Sequence, residues 1–312
     1  MRILIVGAGA TGGAFGARLL DAGRDVTFLV RAKRAEVLAE SGLILDAPDG
    51  RRIHTVKTIT TVEPGDTYDL VVLGLKAPAL PSALKTVGPA IGPNTVILPL
   101  LNGMDHFTIL DQLYPGRTIG GLVKIVATLD NGGVIHQMTP LAALTVGPLH
   151  GHPLNQHLID TLTVKGFTLS VDHNVVSRLW EKWVFIAAAG ITTCLFRGTI
   201  GNILAAGGKS QILQVVEETE NVASKAGRPV STESHRETLA LLTEEGSKFT
   251  SSLYRDLAQG DPAEAEHILG GFAAQAQAVG APVPLLEATL LQLRTHRVAR
   301  ASSDQQTTTG HR

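Results

Sequence analysis

The sequence holds one cysteine, Cys194, so no internal disulfide can staple the fold and folding makes no demand for an oxidising compartment. Cys194 sits in the apolar run Ile191-Thr192-Thr193-Cys194-Leu195-Phe196 and reads as a small buried hydrophobe rather than a nucleophile. Charge is sparse as well. The 27 basic and 28 acidic residues leave a net charge of -1, and the basic ones are scattered along the chain. Nothing here attracts nucleic acid or an acidic membrane surface. Long hydrophobic runs are missing too. The most apolar stretch, Trp183 to Phe196, is about 14 residues long, too short to span a bilayer, and reads as a buried helix. The N-terminal run Arg2–Val6 stops at Gly7, short of a secretory core. A cytoplasmic protein without metal ligands is the expectation, and no internal repeat is visible.

What is present is apolar surface, 44% of 312 residues, enough for two domains of ordinary size, which run to about 100–200 residues each. In the first half, short runs rich in Val, Ile and Leu read as strands: Arg2–Val6, Asp25–Val30, Asp69–Leu73 and Thr95–Leu98. Helical patterns lie between them, at Ala14–Ala22, Ala32–Ser41, Ala79–Val87 and His106–Leu113. The strands lack polar alternation, as in a parallel sheet covered on both faces, and the βαβα order predicts an open, doubly wound α/β sheet. Further strand-like pieces fall at Thr118–Leu129, Gly133–Met138, Ala143–Gly147 and Phe167–Val171. From about Asn174 nearly everything reads as helix, including Val175–Phe196, Ser251–Leu257, Glu264–Val279 and Pro284–Val298. The expected division is residues 1–172, residues 173–300, and a polar, threonine-rich tail 301–312 without fixed structure.

The sharpest motif is Gly7-Ala8-Gly9-Ala10-Thr11-Gly12, which follows the first strand and opens a helix. Gly7 permits a tight turn, Gly9 lets a pyrophosphate approach the backbone, and Gly12 lets the helix pack close to the strand. The helix start adds free N–H groups and the positive end of its dipole. A plain strand-to-helix turn is the alternative. NAD enzymes of this Rossmann type usually carry an acid at the end of the second strand, for the ribose 2′-hydroxyl. Here Phe28-Leu29-Val30-Arg31 ends in a base, with Lys33 and Arg34 just beyond. A guanidinium can grip a 2′-phosphate in a two-pronged contact, so NADP(H) is the expected cofactor of a Rossmann domain. For Lys33 and Arg34 a solvated basic turn is the alternative.

Two more strand ends carry polar residues: Lys76 after Asp69–Leu75, and Asn102 in Leu101-Asn102-Gly103-Met104. Carboxyl ends of parallel strands face the ligand crevice, so both could meet nicotinamide ribose or substrate, or be loop residues only. With these residues the sequence resembles the ketopantoate reductase family (2-dehydropantoate 2-reductases). The resemblance runs over residues 1–298. It rests on the Gly7–Gly13 turn, Arg31, Leu75-Lys76-Ala77, Leu101-Asn102-Gly103-Met104, Leu179-Trp180-Glu181-Lys182, Ser251-Ser252-Leu253-Tyr254-Arg255-Asp256, and Glu264 followed by Gly270.

The resemblance implies an N-terminal Rossmann domain, a helical C-terminal domain bearing substrate and catalytic groups, and an active site in the cleft between them. It implies NADPH reduction of ketopantoate to pantoate, a step toward pantothenate and coenzyme A. By position it makes Lys182 the general acid. A lysine is cationic below about 10.4, so it can stabilise a forming alkoxide and protonate it. Glu264 becomes the carboxylate that orients the lysine and binds a substrate hydroxyl. Ser252 becomes a ligand of the substrate carboxylate, Asn102 a group near substrate and nicotinamide, and Lys76 a contact to cofactor ribose. Each has a plainer reading: Lys182 a solvated helix edge, Glu264 a carboxylate favouring a helix dipole, Ser252 a helix cap. A homodimer is compatible with the apolar helical half.

The sequence departs from the family where the substrate is chosen. One and two helical turns after the catalytic lysine the family carries asparagines, and this chain has Ile186 and Gly190. Residues four and eight places on share the lysine's face, so that wall turns apolar. Ala79 stands where the family often has glutamine, and Phe249 where it often has a polar residue. The expected function is therefore NADPH-dependent reduction of a small 2-oxo acid, with ketopantoate its sharpest form. The alternatives are a paralogous reductase of a more apolar carbonyl or an imine, and a non-catalytic NADP sensor.

Overall fold

In a computed structural model, residues 1–150, 153–259 and 264–309 are described, with backbone alone for Gln259 and for 301–309. The chain divides into two compact units, Met1–Leu179 and Trp180–Arg312.

The first unit begins with strand β1 (Arg2–Val6), helix α1 (Ala10–Asp21), β2 (Asp25–Leu29) and α2 (Ala32–Ser41). Next comes a hairpin that the sequence reading lacked, β3 (Leu43–Ala47) and β4 (Gly50–His54), and then the short β5 (Lys57–Ile59). The alternation resumes with β6 (Leu70–Leu73), α3 (Leu80–Val87), β7 (Val96–Pro99) and α4 (Asp105–Leu113). It closes with β8 (Ile119–Leu129), β9 (Val134–Pro148), α5 (Gln156–Leu162) and β10 (Thr168–Val171).

Five strands form a parallel sheet in the order β5-β2-β1-β6-β7. Apart from exposed leading residues, β1, β2 and β6 are buried throughout, which is why they showed no alternation. The chain winds outward from β1 through β2 to β5, then returns to start again at β6 on the other side of β1. The topological switch point, where ligands bind in such sheets, thus lies between β1 and β6. On one face, α3 and α4 supply Leu80, Leu84 and Leu110 to a core with Leu4, Val71 and Leu73.

The other face is covered by α1, and beyond α1 lies a second sheet, β10-β9-β3-β4 with β8 paired to β9. Two of the expected strands, Gly133–Met138 and Ala143–Gly147, are one continuous β9. The pairing with β8 slips between Ile125 and Ala127, and Pro140 falls in that irregularity, where a missing donor costs least. Helix α1 fits between the sheets because it is bare where it touches them. A Cβ at Gly16 would stand 2.5 Å from Phe28, and one at Gly13 would collide with Ile135. Its one buried charge, Arg18, is answered by Asp49 of the hairpin turn at 2.8 and 3.0 Å.

The division between units falls inside α6 (Val175–Leu195). The second unit continues with α7 (Ile200–Ala205), α8 (Lys209–Lys225), α9 (Thr232–Leu242), α10 (Ser252–Gln259), α11 (Gly271–Ala278) and α12 (Pro284–Thr309). The helix expected from Glu264 to Val279 is interrupted: Glu266–Gly270 is one turn of π-helix, with α11 beyond it. Residues 310–312, the end of the tail, lie outside the described residues. The buried set of this unit includes Val184, Ala188, Ile191, Ile212, Leu253, Ile268, Phe272 and Leu286. Cys194 is buried among them, and burial pushes its thiol up to about 12, so it stays protonated and inert. The buried carboxylate of Glu218 accepts from the N–H groups of Leu285 and Leu286, capping the start of α12. Among the described residues no helix is long and apolar enough to cross a membrane.

Candidate dinucleotide and catalytic site

The glycine turn joins β1 to α1 at the switch point. Gly7 has φ +98°, a left-handed conformation that side chains disfavour, and its N–H donates to Leu29 O of β2 at 2.9 Å. Gly12 is pressed against the end of β6: a Cβ there would lie 3.1 Å from Gly74 O and would strike Gly7 O. Gly74, absent from the sequence reading, returns the contact, since its own Cβ would stand 2.6 Å from Gly12 Cα. Gly9 is different. It precedes the first residue of α1, and among the described residues no atom beyond its chain neighbours lies within 4 Å of where its Cβ would be. Crowding at Gly12 and Gly74 sets the helix close to the sheet, and the open side at Gly9 leaves a cradle. The first turn of α1 carries no acid that would compete with a bound anion.

The sheet order then lines up the other expected residues. Arg31 follows β2 and starts α2, Lys76 follows β6, and Asn102 follows β7. Along the sheet the sequence of carboxyl ends is Arg31, the glycine turn, Lys76, Asn102, on adjacent strands whose registers pair Leu29 with Val6, Val6 with Leu73, and Leu73 with Pro99. Neighbouring strands are about 4.8 Å apart, so the row covers roughly 14 Å. Arg31 and Lys76 are exposed and Asn102 is half-buried. Arg34 is not part of a solvated turn: its Nε donates to Ala8 O and its Nη1 to Gly133 O, each at 3.1 Å, and partial burial draws its guanidinium below the ordinary value.

In the second unit, Lys182 is half-buried on α6 between two anchored neighbours. The Glu181 carboxylate accepts from Ser231 N–H at 3.1 Å, at the cap of α9. The Trp183 indole N–H donates to Ile268 O, in the π turn, at 3.0 Å, and its ring stands edge-on to Phe272. Ile268 N–H in turn donates to Glu264 O at 2.9 Å. The lysine-bearing helix and the segment that starts at Glu264 are thus joined through Trp183. Nearby Glu266 is occupied by Arg294 at 2.7 and 2.8 Å, and this hydrogen-bonded guanidinium holds its carboxyl below the usual range. Ser252 is exposed at the start of α10, and the cap is its neighbour: buried Ser251 accepts from Tyr254 N–H at 3.0 Å and bonds Thr193 Oγ1 at 2.7 Å. The plainer reading of Ser252 as a cap is therefore set aside.

The apolar wall is also concrete. A Cβ at Gly190 would stand 2.9 Å from Leu253 Cδ1 and 3.5 Å from Leu269 Cδ2, so leucines from α10 and the π turn close over the bare helix. Phe185 lies 6.2 Å from Phe249, ring to ring. The sequence had no means of showing what Trp183, Arg34 and Gly74 touch, because each acts through a partner distant along the chain. Ser251 could have been found, since it precedes an apolar helical pattern as a cap should.

Residues 3–151 match the model of the family Ketopantoate reductase PanE/ApbA, and residues 174–297 match its C-terminal model. YkpB of Bacillus subtilis (strain 168), an uncharacterized oxidoreductase, is 32% identical over 96% of this chain and 100% of its own. A 2-dehydropantoate 2-reductase of Streptococcus pyogenes serotype M3 (strain ATCC BAA-595 / MGAS315) is 26% identical over 83% of this chain and 85% of its own. Among solved structures, D-mandelate dehydrogenase with NADH and anilino(oxo)acetate shares the fold at a TM-score of 0.84, with 21% identity over 95% of this chain and 100% of that one.

Proposed function

The chain belongs to the ketopantoate reductase family, and from that premise we propose that it uses NADPH to reduce the carbonyl of a small 2-oxo acid, ketopantoate to pantoate in the sharpest form. The family is one of oxidoreductases acting between C=O and CH–OH, with a nicotinamide dinucleotide as cofactor. The row of strand ends carries the reading: a basic residue, a phosphate cradle, a lysine and an asparagine stand in the order that a dinucleotide presents 2′-phosphate, pyrophosphate, ribose and nicotinamide. The open side of Gly9 and the acid-free start of α1 fit a pyrophosphate. Arg31 would grip the 2′-phosphate, and Lys76 and Asn102 the ribose end. In this reading residues 1–172 hold the dinucleotide, residues 173–300 bring the acid and substrate ligands, and the reaction takes place in the cytoplasm.

When bound, the reduced nicotinamide supplies a hydride. Lys182 would donate to the carbonyl oxygen, stabilise its growing negative charge and transfer a proton to it. Glu264 would orient that ammonium, and Ser252 would hold the substrate carboxylate. The anchoring of Glu181 and Trp183 supports a fixed direction for Lys182, since a donor that wanders forfeits the advantage of position.

A second reading is favoured by the leucines over Gly190: a 2-oxo acid with an apolar side chain, for which the missing amides cost nothing. A steady-state assay separates the two. Purified protein is given NADPH or NADH with ketopantoate and with 2-oxo acids bearing branched or aromatic side chains. Turnover of at least one 2-oxo acid, about tenfold or more better with NADPH, is expected. NADPH binding without oxidation across the panel overturns the proposal in favour of a sensor, and a higher kcat/KM for an apolar acid selects the second reading.

A further inference from the structure

Arg34 lies one helical turn beyond Arg31 on α2, yet two of its three guanidinium nitrogens, Nε and Nη1, are committed to backbone carbonyls. Nε donates to Ala8 O inside the glycine turn, and Nη1 donates to Gly133 O in the turn between β8 and β9. The second contact is close-fitting. Gly133 has φ +85°, and a Cβ there would stand 2.5 Å from Nη1, so a side chain at 133 would push the guanidinium aside. Arg34 therefore pins the glycine turn to a hairpin of the second sheet, whose Gly133 lies 99 residues beyond Arg34 in sequence.

The carbonyl that it holds belongs to the peptide joining Ala8 to Gly9. That peptide is trans, so the Ala8 C=O and the Gly9 N–H lie in one plane and point in opposite directions. Fixing the oxygen on the Arg34 side fixes the N–H on the other, at the residue whose Cβ position is open to 4 Å. A hydrogen bond from a cation to the oxygen also polarises the amide and makes its N–H a stronger donor. We infer that Arg34 is a positioning residue for the dinucleotide: it aims and strengthens the Gly9 N–H for a phosphate without touching the ligand. This rests on the reading of the glycine turn as the pyrophosphate site. It assigns Arg34 a role that does not depend on the 2′-phosphate, and so separates it from Arg31.

The test titrates NADPH and NADH into the full-length protein, wild type and with Arg34→Gln, Arg34→Lys or Arg31→Ala, well below each variant's melting transition. Arg34→Gln is expected to weaken both cofactors by the same factor, about tenfold or more, which matches the loss of a charged hydrogen bond. The NADPH-to-NADH ratio and kcat at saturation should stay near wild type. Arg34→Lys, which keeps one cationic donor, should recover part of the affinity. Unchanged affinity for both cofactors in Arg34→Gln overturns the inference, as does a loss confined to NADPH, which would place the guanidinium on the 2′-phosphate. If Arg34→Gln does not fold, Arg34→Lys decides by the same two criteria. Failure of the NADP reading itself shows elsewhere, as an unchanged cofactor ratio in Arg31→Ala.

Discussion

Consider alanine placed at each of two glycines of the same turn. At Gly9 the backbone has φ -85° and ψ -166°, a region open to any residue, and the new methyl meets nothing within 4 Å. Loss of unfolded-state freedom should stabilise the free protein by about 0.4–1 kcal/mol. The poorer fit of alanine before a helix takes back a similar amount, so unliganded stability should stay within about 1 kcal/mol of wild type. The methyl nevertheless fills the cradle. Displacing one charge-assisted phosphate contact costs about 1.5–3 kcal/mol, or roughly a 10- to 100-fold loss of NADPH affinity. At Gly12 the balance is different. Alanine gains about 1 kcal/mol in helix propensity, but its Cβ strikes Gly7 O and crowds Gly74 at 3.1 and 3.3 Å, all backbone atoms that cannot rotate away. Overpacking typically costs about 1–3 kcal/mol, and rigid neighbours put this site at the upper end. Gly12→Ala should therefore lose both stability and cofactor affinity, while Gly9→Ala loses affinity alone. Urea melts without ligand and fluorescence titrations with NADPH measure the two quantities. A Gly9→Ala variant that binds NADPH normally, or a Gly12→Ala variant as stable as wild type, refutes the account of the turn.

Lys182→Ala should lower kcat by at least two orders of magnitude, in the range general acid catalysis supplies, with the Kd for NADPH nearly unchanged; wild-type turnover in this variant removes Lys182 as the acid. Ser251→Ala should destabilise the protein by about 1–2 kcal/mol in urea melts, because α10 loses its cap and buried Thr193 loses a partner. Ser252→Ala, exposed beside it, should leave stability alone and raise KM for the 2-oxo acid. Asp49 carries the acid-pH prediction. Hydrogen bonds from Arg18 and then Arg52 hold its carboxyl at about 2 in the folded protein, against about 3.9 unfolded. Its contribution is therefore complete above about pH 4 and is lost as pH falls toward 2. The side chain is half exposed, so the effect is on the order of 1 kcal/mol, well short of the full shift. Asp49→Asn should be less stable at neutral pH, with a shallower decline between pH 4 and 2 in acid unfolding followed by circular dichroism.

The legible elements were those whose signal is local. Strands β1, β2, β6 and β7 are continuous apolar runs, and α2 was bounded to the residue by its pattern. The hairpin β3–β4 escaped because its second strand, Gly-Arg-Arg-Ile-His, is polar on both faces and lies at the edge of its sheet. Helix α1 was read as starting near Ala14, because the glycines before it have poor helix propensity. Packing between two sheets, where Ile135 and Phe28 leave no room for a side chain at Gly13 and Gly16, overrides that preference. Candidate site residues could be named where a motif marked them, and the apolar face of α6 showed as a departure at Ile186 and Gly190. What closes over Gly190 was not, because Leu253 and Leu269 reach it only after the chain has folded back.

The two anchors beside Lys182 have a further consequence. Successive helical residues are about 100° apart, so Glu181 and Trp183 grip α6 from directions about 200° apart and resist any roll about its axis. Descendants of such a protein cannot easily acquire a new substrate by turning the helix. On the proposed role of Lys182, they would instead exchange the side chains around a stationary ammonium, at positions such as 186, 190, 253 and 269. Divergence of appetite with constancy of chemistry is the evolutionary pattern that such a braced helix favours.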